Sequence, residues 1–131
     1  MDTDNSGVSQ AVAMTIGDVG LLHIRSHPET EFNIEEAKEA LKWASQASGD
    51  HRKPYLLNLS GSSKVSPKVF FHFANNVAPN EAVALAVVVD SPLMASIGRV
   101  VWGLNQPKIP MRIYNTTSEA MDWLTGNRER V

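Results

Sequence analysis

No cysteine occurs among the 131 residues, which removes disulfide frameworks, thiolate nucleophiles, iron–sulfur clusters and thiolate zinc sites together. Aromatic residues are few, at 7%, and an excess of positive charge is missing: 12 Lys and Arg stand against 14 Asp and Glu, a formal net charge of −2. Without a broad positive field, the phosphate-neutralising contribution that dominates nucleic-acid affinity has no source, so no nucleic-acid partner is expected. Long hydrophobic runs are missing too. The longest, Ala82 to Val89, falls far short of the roughly 20 residues that a membrane-spanning helix needs. Met1 to Gln10 lacks the basic flank and apolar stretch of a secretory signal. The sequence therefore predicts a cytoplasmic protein with no membrane role.

What the chain does have is the composition of a folded domain. Hydrophobic residues make up 43% and charged residues 20%, ordinary globular usage rather than the low-apolar, high-charge balance of a disordered chain. Residues 1–11 collect Asp, Asn, Ser and Gly without periodicity and read as a flexible tail. Residues 12–131 are expected to form one domain.

Two short strands, near Ala13 to Thr15 and Gly20 to Arg25, flank a turn with glycines at 17 and 20, which predicts an opening hairpin. Asn33 followed by Glu36 is a capping pair ahead of Ile34, Ala37, Leu41 and Ala44 at helical spacing. Pro54 to Leu59 reads as a buried strand and Ser60 to Lys64 as a loop. Ser66 and Pro67 then stand as N-cap and first residue of a second helix, with Val69, Phe70, Phe73, Ala74 and Val77 as its apolar stripe.

Ala82 to Val89 is aliphatic throughout, the pattern of a central strand covered on both faces. Asp90-Ser91-Pro92 caps a third helix, Pro92 to Leu104, which has apolar residues on nearly every side. Leu93, Met94, Ile97 and Val101 are the candidate oligomer interface, most simply of a homodimer. Met111 to Tyr114 is a last strand, and Thr116 with Glu119 caps a closing helix. The predicted class is α/β, a mixed sheet with helices in the order ββαβαβαβα.

That order, together with Pro54-Tyr55-Leu56-Leu57-Asn58-Leu59-Ser60-Gly61 and with Pro110-Met111-Arg112-Ile113-Tyr114 followed by Thr117 to Leu124, resembles the STAS and SpoIIAA-like domains, in particular small stand-alone bacterial members. The likeness runs from about residue 12 to about residue 125. It implies a SpoIIAA-like fold and a regulatory or protein-interaction role with an unidentified protein partner. In anti-sigma factor antagonists, an Asp-Ser-Ser-Gly-type segment at the start of the helix after this strand carries a serine that a partner kinase phosphorylates. The matching place here reads Lys64-Val65-Ser66-Pro67-Lys68, without the preceding acid or the following glycine. Ser62, Ser63, Lys64 and Ser66 are thus the candidate regulatory or partner loop. A phosphate at Ser66 would meet a helix N-terminus and two lysines, whereas as a plain N-cap the residue contributes about 1 kcal/mol.

Enzyme signatures fail one after another. His23, His27, His51 and His72 are scattered over a strand, two loops and the outer face of a helix, so no two share a helix as a helical metal site requires. Ser60 to Lys64 departs from the phosphate-binding G-x-x-x-x-G-K-[ST] pattern, and neither a Gly-x-Ser-x-Gly elbow nor a G-x-G-x-x-G turn occurs. His27 beside Glu29 and Glu31 reads as a solvated loop, Asp90-Ser91 as a helix cap, and Trp43, Trp102 and Trp123 as packing residues on three helices. The expectation is a protein without catalytic residues, metal or cofactor. The runner-up reading is a carrier of a small apolar or anionic ligand held between helices and sheet.

Overall fold

The computed structural model describes residues 12–16, by their backbone, and residues 21–26, 29, 31–48, 52–62 and 64–126. The elements are β1 (Val12–Ile16), β2 (Leu22–Ser26), β3 (Glu31–Phe32), α1 (Ile34–Ser48), β4 (Lys53–Asn58), β5 (Lys64–Val65), α2 (Lys68–Asn76), β6 (Ala82–Val88), α3 (Pro92–Asn105), β7 (Met111–Tyr114) and α4 (Thr117–Thr125). The predicted order holds, with two additional short strands, β3 and β5. The expected tail, residues 1–11, lies outside the described residues, as does the turn of the opening hairpin.

The main sheet has five strands in the order β1-β2-β4-β6-β7. β1 runs antiparallel to β2, pairing Thr15 with His23 and Val12 with Ser26. All other neighbours are parallel, with Ile24 beside Leu57, Leu57 beside Val87 and Val87 beside Ile113. Alternation along each strand divides the side chains between two faces. Tyr55, Leu57, Leu59, Leu85, Val87 and Val89 join the core that packs against α1, α2 and α3, whereas Leu56, Ala84, Ala86 and Val88 pack against Ala120, Trp123 and Leu124 of α4. Alanine at 84 and 86 leaves little side chain between strand and helix, so α4 lies close to the sheet. This is the two-sided burial that the aliphatic run of β6 predicts.

Local signals place the helices. Asn33 Oδ1 accepts from the N–H groups of Glu35 and Glu36 at 2.9 and 3.4 Å, and Glu36 Oε1 accepts from the N–H of Asn33 at 3.1 Å, a reciprocal box that starts α1. Ser91 Oγ accepts from the N–H of Met94 at 3.1 Å and starts α3. Thr116 starts α4 by accepting from the N–H of Glu119 at 3.2 Å, while its own hydroxyl donates to the Glu119 carboxylate. α2 begins one residue later than the sequence predicts: Pro67, with helical φ and ψ of −58° and −22°, stands at its cap. The N–H groups of Val69 and Phe70 bond three residues back, to Ser66 and Pro67, and that tight first turn places Ser66 outside the helix.

The acidic segment expected to be a solvated loop is only partly one. Glu31–Phe32 pairs in parallel with Lys64–Val65, and Phe32 is wholly buried against the α1 and α2 side of the core. A two-residue strand has no period for sequence to display, which is why this bridge is invisible before folding. Inside the same core, the Trp102 indole N–H donates to the Phe70 carbonyl at 2.9 Å, and its ring meets the Phe70 ring edge-on at 5.7 Å, locking α3 to α2.

Candidate functional site

β4 and β6 are parallel, so their chains leave the sheet at the same end, each leading through a loop to the N-terminus of a helix. That end is where open α/β sheets form crevices. Here an open crevice of about 360 Å³ is bounded by Leu59, Val65, Pro67, Val89 and Met94 at its apolar walls and by Ser62, Lys64, Asp90 and Ser91 at its polar rim.

The rim is held by a chain of hydrogen bonds. Gly61 turns with φ of +87°, a conformation that favours glycine, and presents its N–H to Asp90 Oδ2 at 2.7 Å. Its carbonyl accepts from the N–H of Glu29 at 2.8 Å. Asn58 Oδ1 accepts from both the N–H and the hydroxyl of Ser60, at 3.0 and 2.6 Å, while its amide donates to Thr117 Oγ1 at 3.3 Å. Ser62 and Ser26 share a hydroxyl–hydroxyl bond of 2.6 Å. The loop after β4 is thereby tied to β2, to the loop after β6 and to the start of α4.

Of the sequence-predicted loop residues, the structure brings Ser62 and Lys64 to the crevice; Ser63 lies outside the described residues. Ser66 sits just behind Pro67, its N–H bonded to the Phe32 carbonyl at 3.0 Å and its hydroxyl accepting from the N–H of Lys68 at 3.3 Å. Ser91 caps α3 as the sequence indicates, but Asp90 does something else, holding the Gly61 turn across the crevice. A single aspartate after a strand gives no sign of which distant N–H it will accept from.

The predicted interface residues separate on α3. Leu93 is 70% exposed, Met94 and Ile97 are half-buried against the core, and Val101, only 7% exposed, packs inside it with Ala95 and Trp102. Val101 therefore does not stand on the outer surface, because the inward face of α3 runs through Ala95, Gly98, Val101 and Trp102. Two residues not singled out in the sequence, Val100 and Leu104, are 62% and 78% exposed. With Leu93 they sit at intervals of seven and four, which a 3.6-residue turn brings onto one side of the helix, beside Ile97.

A second open space, of about 530 Å³, runs between the C-terminal half of α3 and β7, the parallel edge strand of the sheet. Of the histidines, His27 and His51 fall outside the described residues. Burial lowers the His23 imidazole below its ordinary range, with Arg25 adding to the effect, and the buried His23 Nε2 finds no hydrogen-bond partner among the described residues. His72 is lowered in the same sense by burial and by Lys38, and faces Asn76 on α2. Among the described residues, no three His, Asp or Glu side chains come together as a metal site, and no helix is long and apolar enough to cross a membrane.

A parallel-cored sheet with an antiparallel first strand, three helices on one face and one on the other, defines an α/β protein of SpoIIAA-like fold. An uncharacterised protein from the DUF3478 family with a SpoIIAA-like fold, from Shewanella loihica PV-4, superposes with a TM-score of 0.56 at 14% identity, covering 87% of this chain and 92% of that chain. Over residues 14–128 the chain matches the family described as a domain of unknown function, DUF7793, and it belongs to that family. A protein with unknown function from Arthrobacter sp. FB24 is 19% identical over 93% of this chain and 98% of that chain, with a TM-score of 0.33, too loose a superposition to bear on the fold. No curated protein matches the chain.

Proposed function

We propose that this chain is a non-enzymatic protein-interaction module of the kind that STAS domains represent, and that two copies pair through the outer side of α3. The observation that carries this reading is the exposure of Leu93, Val100 and Leu104, at 70%, 62% and 78%, along one line of a helix whose opposite side is locked into the core. Fully burying a side chain of this size is worth roughly 1.5–3 kcal/mol, so three left in water are a substantial unclaimed driving force for association. Positions 93, 97, 100 and 104 also repeat at intervals of four, three and four, the spacing by which two helices interlock.

The polar groups at the crevice support the same reading. Asp90, Asn58, Ser60 and Ser62 bond one another, the backbone or, for Ser62, the Ser26 hydroxyl, fixing the shape of the loop rather than standing free for proton transfer. That fixed loop, with Lys64 and Ser66 at its far end, is the contact surface for a partner other than the chain itself, at the place where the STAS resemblance puts a regulatory serine.

Light scattering coupled to size exclusion tests the pairing. Wild type is expected at twice the 14.3 kDa chain mass, and Leu93→Glu together with Val100→Glu at the mass of one chain, both with unchanged circular dichroism. A wild type that stays at one chain mass on concentration removes the homodimer.

A further inference from the structure

The groove beside β7 has a chemistry that the α3 seam lacks. Its walls include Trp102, Ile109, Met111 and Tyr114, and its charged groups are Arg99 and Arg112. At about 530 Å³ it falls within the size range of small-molecule sites. We propose that this groove binds a small anionic molecule with an apolar body, whose charge is held by the two guanidinium groups.

Both arginines are positioned by neutral partners. Arg99 Nη2 donates to the Ile113 carbonyl at 2.9 Å, and the Arg112 guanidinium lies 5.6 Å from the centroid of the Trp123 ring. Among the described residues neither has a carboxylate within ion-pair distance. Among the described residues, two cations thus stand in the groove without a carboxylate to compensate them, in a chain whose net charge is −2. Guanidinium groups already fixed lose less freedom when an anion arrives, and each presents donors suited to a carboxylate, sulfonate or phosphate. Beside this charge, the groove has apolar walls from Ile109, Met111 and the rims of Trp102 and Tyr114, so the fitting ligand joins an acid group to an apolar body. Strand addition by a peptide is disfavoured at the same place, because the outward carbonyl of Ile113 is already occupied by Arg99.

A pair of fluorescent probes separates charge from shape: 1-anilinonaphthalene-8-sulfonate, which is a planar sulfonate, and its uncharged analogue N-phenyl-1-naphthylamine. Gly103 lines the groove, and a Cβ built there meets nothing within 4 Å. Gly103→Leu therefore fills the groove without disturbing the packing of α3. The expected results are saturable sulfonate binding to wild type at one site per chain, weakening about tenfold with Arg99→Gln or Arg112→Gln, as the loss of one charge-assisted contact implies. The uncharged probe should respond little to those changes, Gly103→Leu should abolish binding of both probes, and Leu93→Ser should alter neither. Absence of saturable sulfonate binding, binding retained in Gly103→Leu, or an affinity that ignores both arginines overturns the proposal. A signal lost on Leu93→Ser instead assigns the probe to the outer side of α3 and overturns it equally.

Discussion

Arg99 reaches from α3 to the Ile113 carbonyl, donating through Nη2 at 2.9 Å, and so covers the open side of the outer strand of the sheet. In a parallel ladder successive residues address alternate neighbours. The carbonyls of Pro110 and Tyr114 accept from the N–H groups of Leu85 and Val89, so Met111 and Ile113 turn their backbone groups outward. A free strand edge is a template for unwanted pairing, and a charged side chain laid across it is a common defence.

Replacing Arg99 with Leu is expected to uncover that edge. The lost hydrogen bond costs about 1 kcal/mol of stability, measurable as a lower denaturation midpoint in urea. Scattering at high protein concentration should rise above the wild-type level as copies associate along β7. A variant that stays as monodisperse as wild type would show that the edge needs no such cover.

The two glycines of α3 that have neighbouring space of opposite kinds should respond oppositely to the same substitution. A Cβ at Gly98 would come within 2.9 Å of the Phe70 ring and closer still to the Ile113 side chain, both buried, whereas one at Gly103 meets open space. Gly103→Ala should therefore stabilise the protein by about 0.5–1 kcal/mol, the usual helix gain. Gly98→Ala should destabilise it by about 1–3 kcal/mol, because overpacking outweighs that gain. Paired denaturation curves decide the point, and equal shifts of the same sign would contradict the packing of α3 on α2 and β7.

The same helix shows what the sequence could and could not reveal. The order of strands and helices was legible because each element carries its own signal: the capping pair Asn33 and Glu36, the aliphatic run of β6, the Ser91 cap. Which side of α3 faces the core was not. A helix apolar nearly all round has no polar stripe to orient it, so Val101 looked as available as Leu93, while Val100 and Leu104, equally apolar, were not placed in the interface. The crevice was half legible: a polar loop after a strand pointed to Ser62 and Lys64. The Asp90 to Gly61 bond spans 29 residues and arises from the parallel register of β4 and β6, which no local pattern encodes. The Arg99 and Arg112 groove likewise depends on β7 being the outer strand.

Asp90 is expected to govern the crevice loop more than the fold as a whole. Asp90→Ala removes the acceptor of the Gly61 N–H and should cost about 1 kcal/mol. Amide exchange at Gly61 should accelerate severalfold while exchange in β4 and β6 keeps its protection, since local opening is cheaper than global unfolding. Gly61→Ala should loosen the same loop by a different route, because its φ of +87° strains any residue with a Cβ. Uniform acceleration across the sheet in Asp90→Ala would mean instead that the bond supports the whole domain.

His23 makes stability depend on pH. Burial, reinforced by Arg25, lowers its imidazole from the ordinary 6.5, and its Nε2 has no acceptor among the described residues to receive a proton-bearing nitrogen. The folded chain thus resists a proton that the unfolded chain takes up readily, so stability is at its full value above about pH 6.5 and declines as pH falls from there toward the lowered folded value. His72, lowered by burial and by Lys38, acts in the same direction. Between about pH 7 and about pH 5.5, above the ordinary carboxylate range, the urea midpoint of wild type should therefore fall, and that of His23→Gln should fall less, since glutamine does not titrate. A slope unchanged in His23→Gln, with His72→Gln flattening it instead, would move the proton-sensitive position from the sheet to α2.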